Sequence, residues 1–150
     1  LEKVRAAQKF SPGAADLVNA LKKQGVVTVL VSGGFTVFTE HVATALGFDH
    51  HHGNILDLDA QGRITGRVVD PLIHHAKKRD ILLDYCARLK IDPAQAIAVG
   101  DGANDIPMMQ TAGYGIAYHP KPSVRAVIPN QILYTDLTAI LYACRINSPE

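Results

Sequence analysis

Val26-Val27-Thr28-Val29-Leu30-Val31-Ser32-Gly33-Gly34 is the stretch on which the fold turns. A continuous, mostly β-branched run with no polar alternation predicts a strand buried on both faces of a parallel sheet, ending at Ser-Gly-Gly. Before it, Ser11-Pro12-Gly13 breaks a first helical pattern over Leu1 to Lys9 and offers an N-cap-like start for a helix running to about Lys23, which Gly25 ends. After it, the spacing predicts a helix over Thr36 to Leu46. Asn54 to Asp59 and Arg63 to Asp70 alternate apolar and polar residues around Gln61-Gly62, which predicts a projecting β-hairpin. Helical spacing returns over Lys78 to Leu89. Ala96-Ile97-Ala98-Val99 is a second short buried strand, followed by Gly100-Asp101-Gly102 and a helix over about Asn104 to Thr111. Strands at Gly115 to Tyr118 and Ile132 to Tyr134 and a closing helix over Asp136 to Cys144 complete the pattern. Strands alternating with helices imply an α/β fold with a doubly wound parallel sheet, read as one domain over residues 1–150.

In such folds ligands bind beyond the carboxyl ends of the strands, so the two strand-ending loops are expected to face one crevice. At Ser32-Gly33-Gly34 the glycines allow backbone N–H groups close to an anion and the Ser32 hydroxyl adds a donor, the makings of a phosphate cradle. Ser-Gly-Gly also occurs in plain turns, so by itself this signal is weak. At Gly100-Asp101-Gly102-Ala103-Asn104-Asp105, two carboxylates and an amide crowd a small volume. Capping a helix requires one such residue, not three. Like charges so placed call for a cation, and an all-oxygen donor set suits Mg²⁺, which keeps waters and uses one or two protein carboxylates.

Val99-Gly100-Asp101-Gly102-Ala103-Asn104-Asp105-Ile106-Pro107-Met108-Met109, followed by Ala112-Gly113, resembles the acidic motif of the haloacid-dehalogenase-like phosphatases. Val31-Ser32-Gly33-Gly34-Phe35 resembles their phosphate-binding motif in the form found in the phosphoserine phosphatase family. Lys78-Arg79-Asp80-Ile81-Leu82 stands where that family places a lysine at a helix start, with Lys77 as the alternative register. Ser11-Pro12-Gly13-Ala14, Gly62-Arg63-Ile64-Thr65-Gly66 and Ala117-Tyr118-His119-Pro120-Lys121-Pro122 extend the resemblance over nearly the whole chain. The resemblance implies that Asp101 binds Mg²⁺ while Asp105 supports the metal and the lysine from behind. It implies that Ser32 and Gly33 hold phosphate oxygens, that Asn104 contacts substrate, and that Lys78 neutralises phosphate charge in the transition state. The implied substrate is a small phosphomonoester, L-phosphoserine, cleaved through an aspartyl phosphate in the final step of serine biosynthesis. The nucleophile and the acid/base belong to an Asp-x-Asp-x-Thr motif at the tip of a first strand, which this sequence does not contain. Its single Asp-x-Asp, Asp57-Leu58-Asp59, lies in the hairpin and reads as a surface feature. The helical cap that reads the amino-acid part of the substrate is also absent, unless Leu1 to Phe10 is its last piece.

The remaining features bound the alternatives. A net charge of +1 with 19% charged and 47% hydrophobic residues gives no reason to expect nucleic acid or an anionic membrane as partner. No apolar run approaches the ~20 residues that span a bilayer. Cys86 and Cys144 lie in helix-like stretches without CxxC spacing and read as reduced core thiols, which favours the cytoplasm. His50-His51-His52 and His74-His75 lack the fixed spacing of zinc motifs and read as solvated loops. The first residue is Leu1, so an upstream segment is expected, and without a central strand the chain should self-associate or pair with that segment. Rival readings are another phosphatase of the same superfamily, a P-type ATPase phosphorylation domain, and a non-catalytic module that binds Mg²⁺ or phosphate.

Overall fold

The computed structural model of the chain describes residues 9–145. The helix expected over Leu1 to Lys9 lies almost wholly outside the described residues. The chain forms two compact units, one comprising residues 1–72 and 136–150, the other Ile73–Thr135.

The first unit contains α1 (Ala14–Lys23), β1 (Val29–Phe35), α2 (Thr36–Leu46), β2 (His50–Leu58), β3 (Ile64–Val69) and α6 (Ala139–Ala143). Helix α1 turns Ala14, Leu17, Val18 and Ala20 inward, with Asp16 in its first turn and Lys22 and Lys23 in its last, a distribution that complements the helix dipole. No side chain caps its start. Gly13 occupies that position with φ 78°, and a Cβ there would come within 3.0 Å of Asp136 and Thr138, which precede α6. Helix α6 buries Ile140 and Leu141 beneath α1.

The second unit contains α3 (His75–Leu89), β4 (Ile97–Gly100), α4 (Ile106–Thr111), β5 (Tyr114–Tyr118), α5 (Pro122–Arg125) and β6 (Asn130–Ile132), with 3₁₀ turns at Pro93–Gln95 and Ala103–Asp105. Its core is Ala98, Met109, Ala112, Ala117, Val124 and Ile128, to which α3 adds Leu82. Small residues on β4 and β5 let the helices lie close on the strands.

Strand pairing is parallel in β1–β2, β4–β5 and β5–β6, and the α/β class holds. The described strands form two three-stranded sheets, β1-β2-β3 and β4-β5-β6, where the sequence reading expected a doubly wound sheet lacking its first, central strand. β1 and β4 each end their sheet. An end strand lacks a neighbour on one side, and β1 is half-buried at Val29–Ser32 and Phe35 and exposed at Gly33 and Gly34 instead of buried on both faces.

Three boundaries also differ from the sequence reading. β1 starts at Val29, runs through Ser32-Gly33-Gly34 and ends at Phe35, with an irregularity between Val31 and Phe35; Val26 and Val27 are exposed and precede it. β2 begins at His50, because its first half pairs with β1 and its second half with β3. The three histidines are therefore strand residues, not a solvated loop, and His51 Nδ1 lies 3.0 Å from the buried Thr39 hydroxyl. His74 caps α3 and His75 opens it. β6 covers Asn130–Ile132 and stops before Leu133 and Tyr134.

The β1/β2 register is set at its start by Thr28 and Asp49. Asp49 Oδ2 accepts the Thr28 N–H and the Thr28 hydroxyl, both at 2.8 Å, while Thr28 Oγ1 accepts the Asp49 N–H at 3.1 Å. Lys22 Nζ approaches Asp49 Oδ1 at 3.4 Å. The Thr28 N–H, foremost among these contacts, holds the Asp49 carboxyl below its ordinary value. The ionised carboxylate is thus favoured by folding. Its contribution is complete above the ordinary value of about 3.9 and is withdrawn as pH falls through the lower folded-state value. Replacing Asp49 by Asn should cost about 1–2 kcal/mol at neutral pH and flatten the acid limb of stability against pH. Denaturant titrations between neutral and acid pH check this; an unchanged acid limb would assign that limb to other carboxylates.

Candidate active site

In the second unit, β4 ends at Gly100 and the chain turns through Asp101 and Gly102 into the 3₁₀ turn Ala103–Asp105, from which α4 follows. The helix expected from Asn104 thus begins as a 3₁₀ turn. Asp105 points back beneath the loop. Its Oδ2 accepts the N–H groups of Asp101 at 3.2 Å and Gly102 at 3.1 Å, and its Oδ1 accepts from Lys78 Nζ at 2.6 Å. Both partners of the ion pair are 5% exposed. Gly100 makes room for this: a Cβ there would stand 2.4 Å from the Asp105 Cβ.

The pair separates the roles of the two carboxylates. Both Asp105 oxygens are committed, so this side chain organises the loop and presents no edge to a ligand. Asp101 is exposed at the strand tip, and among the described residues nothing bonds to its carboxylate. Asn104 is exposed beside it, and Lys78, from the first turns of α3, is turned inward where neighbouring Lys77 is half-buried. An exposed carboxylate with an amide oxygen nearby is chemistry that fits Mg²⁺. The structure therefore brings Lys78, Asp101, Asn104 and Asp105 into one loop system.

Ser32 and Gly33 belong to the first unit. Ser32 Oγ accepts the Gly34 N–H at 2.9 Å, which closes a tight turn, takes that N–H out of reach of an anion and leaves the hydroxyl hydrogen free to donate. Asn54 Nδ2 donates to the Gly33 carbonyl at 2.7 Å. Gly53 allows β2 to approach this loop, since a Cβ there would lie 2.9 Å from both the Thr36 nitrogen and the Thr39 hydroxyl. Neither Gly53 nor Asn54 stood out in the sequence. The available signal was Gly-Asn at the point where β2 passes from one strand partner to the other, opposite Phe35 in register.

The hairpin carboxylates serve the hairpin. Asp57 accepts from the Thr65 hydroxyl at 2.7 Å. Asp59 accepts from the Arg63 and Gln61 N–H groups and from Arg63 Nε at 2.8 Å; the Arg63 N–H, first among these, keeps its carboxyl below the ordinary range. Cys86 and Cys144 are both free thiols, and burial pushes each one up.

The model of the haloacid dehalogenase-like hydrolases matches residues 1–110, and the chain belongs to that family. Within it, the chain is similar to phosphoserine phosphatases. It is 52% identical over 121 residues to the phosphoserine phosphatase of Albidiferax ferrireducens, covering 78% of this chain and 51% of that protein. A probable phosphoserine phosphatase from Vibrio cholerae superposes with a TM-score of 0.88 at 32% identity, over 100% of this chain and 48% of that one. A phosphoserine phosphatase solved as an analogue of its phospho-aspartyl intermediate superposes with a TM-score of 0.86 at 33% identity, over 95% of this chain and 68% of that one. The chain spans about half the length of the curated relatives it matches.

Removing one partner of a buried ion pair strands the other. Lys78→Met should therefore destabilise the protein by about 3–5 kcal/mol, measured by denaturant unfolding. A loss under about 1 kcal/mol, the range of exposed pairs, would mean that water reaches Asp105.

Proposed function

We propose that this chain is the greater part of the catalytic core of a phosphomonoesterase acting on L-phosphoserine, releasing L-serine and phosphate. The observation that carries the reading is the division of labour in the acidic loop: the buried Lys78–Asp105 pair fixes the loop and leaves Asp101 exposed at the end of a parallel strand. The similarity to phosphoserine phosphatases supports the choice of substrate.

In this reading Asp101, with Asn104 beside it, holds Mg²⁺, and the bound ion supplies positive charge to the phosphoryl oxygens. Asp105 carries no metal bond and keeps the Asp101 and Gly102 backbone in place. The Ser32 hydroxyl and the Gly33 backbone donate to phosphate oxygens, with Asn54 holding the Gly33 carbonyl and so the orientation of the turn. Lys78 gives one hydrogen to Asp105 and has others for the phosphoryl group, whose charge shifts in the transition state. Attack on phosphorus requires a carboxylate, and the family resemblance assigns it to an Asp-x-Asp-x-Thr motif outside this chain. Turnover is proposed for the protein that supplies that motif, not for residues 1–150 alone, whose rival reading is a non-catalytic module that binds phosphate or Mg²⁺. The absence of any membrane-crossing helix among the described residues and the two free thiols favour a cytoplasmic setting.

Assay of the purified chain against phosphoserine with Mg²⁺, alone and with an upstream segment carrying the aspartate motif, tests the proposal. No turnover is expected from the chain alone, and turnover is expected once the motif is supplied. In the active protein, Asp101→Asn should raise the Mg²⁺ requirement, and Lys78→Ala should lower kcat by about 10²–10³-fold, the usual cost of one oxyanion donor. Turnover by the chain alone that is lost on changing Asp57 or Asp59 would place the nucleophile in the hairpin and overturn the reading.

A further inference from the structure

The loop Tyr118-His119-Pro120-Lys121-Pro122 leaves the end of β5 directly beside the acidic loop at the end of β4. Its backbone is unusually specified. His119 has φ 42°, a left-handed conformation that a non-glycine residue rarely adopts, and such strain persists only where the surroundings hold it. They do so here: the His119 N–H donates to the Ile132 carbonyl at 2.8 Å, its Nε2 lies 2.8 Å from the Thr135 carbonyl oxygen, and its ring stacks on Tyr118 at 4.1 Å between centroids. Prolines on both sides of Lys121 limit the chain further. The Lys121 N–H then donates to the Asp101 carbonyl at 3.0 Å, tying the two loops together at the proposed metal-binding residue.

The Lys121 side chain follows its backbone. Its Nζ lies 3.9 Å from the point where a Cβ on Gly102 would stand, and Asn104 Oδ1 lies 2.8 Å from the same point. Both tips crowd the open side of Gly102. Among the described residues, the Lys121 ammonium has no ion-pair partner. The charge balance of the loop system gives this significance. Lys78 and Asp105 cancel as a buried pair, and Mg²⁺ held by Asp101 in the reading above would leave the loop net positive. Lys121, with no carboxylate of its own, adds a second positive charge beside it that attracts a phosphate dianion.

We propose that Lys121 is an anion-binding residue of this site, a second ammonium that recognises the phosphate group of the substrate and of the inorganic phosphate product. The inference rests on the phosphatase reading above. It separates two tasks of positive charge. Lys78 is placed by Asp105 and acts with the loop, whereas Lys121 is exposed and contributes chiefly to holding the anion.

The test compares Lys121→Ala, Lys121→Gln and Lys121→Arg in the full-length active protein. The readouts are KM and kcat for phosphoserine, the inhibition constant of inorganic phosphate at low and high salt, and the thermal midpoint. Loss of a charge-assisted contact should raise KM and the phosphate inhibition constant about tenfold in the Ala and Gln variants. kcat should fall by less than KM rises, Arg should restore most of the affinity, and the midpoints should stay together. The dependence of phosphate inhibition on salt should weaken in the neutral variants. A wild-type protein that turns over phosphoserine while Lys121→Ala keeps its KM and phosphate inhibition would defeat the inference and leave the phosphatase reading intact. Equal losses in Ala and Arg would also defeat it, by showing a requirement for lysine's shape and not its charge. A wild type that neither turns over phosphoserine nor is occupied by phosphate would bring down both.

Discussion

The contact between Lys78 and Asp105 is what the shape of the acidic loop depends on. A 2.6 Å ion pair with both partners 5% exposed is expensive to bury, and desolvation offsets much of the attraction. Its value lies in what the carboxylate does with its other oxygen. By accepting the N–H groups of Asp101 and Gly102, Asp105 converts a Gly-rich strand end into a loop of defined shape. Gly100 is required by the same arrangement, because any side chain there would occupy the space of the Asp105 stem. One buried carboxylate therefore sets the conformation of the loop and leaves the other carboxylate, Asp101, exposed. A residue of identical chemistry four positions away serves a different purpose because its environment differs.

The second loop is organised by neutral hydrogen bonds. Ser32 closes its own turn on Gly34, and Asn54 fixes the Gly33 carbonyl from the adjoining strand. β2 can reach that position because it changes partners midway, parallel to β1 as far as Asn54, with an irregularity after His52, and antiparallel to β3 from Ile55. The change follows Gly53-Asn54. Gly53 permits the close approach to Thr36 and Thr39, and Asn54 uses it. The Thr28–Asp49 staple at the opposite end of the same strand pair sets the register of Val29–Val31 against His50–His52, and the irregularity between Val31 and Phe35 then brings Asn54 opposite Phe35.

Charge completes the account. The buried pair is neutral, the exposed Asp101 is negative, and the basic residues of this unit are not equivalent. Arg79 and Arg88 are paired with carboxylates on the surface, where such pairs contribute little. Among the described residues Lys121 has no ion-pair partner, and its N–H bond to the Asp101 carbonyl, two residues after the left-handed His119, holds its backbone against the acidic loop. The backbone that carries this ammonium is specified by the fold, while its exposed side chain remains to be ordered when an anion binds.

The sequence by itself determined the kinds of element and singled out the candidate site residues. The β-branched run ending at Ser-Gly-Gly, the short apolar run ending at Gly-Asp-Gly and the helical spacing of Thr36 to Leu46 are local patterns, and local periodicity is legible along a chain. The family motifs singled out Asp101, Asp105 and Lys78 for the same reason: their spacing is written in consecutive residues. Tertiary structure decided what depends on neighbours distant in sequence. The resemblance implied that Asp105 supports the lysine; the geometry of that support, a buried pair with Lys78, 27 residues away, and two backbone N–H groups on the other oxygen, came only with the tertiary structure. The reassignment of His50-His51-His52 from loop to strand, and the holding of Gly33 by Asn54, follow from β2 taking two partners. Grouping of the described strands into two sheets likewise depends on which backbone edges find partners. Hydrogen-bond pairing across a sheet is a long-range choice, and a strand's own residues specify its faces but not its neighbour.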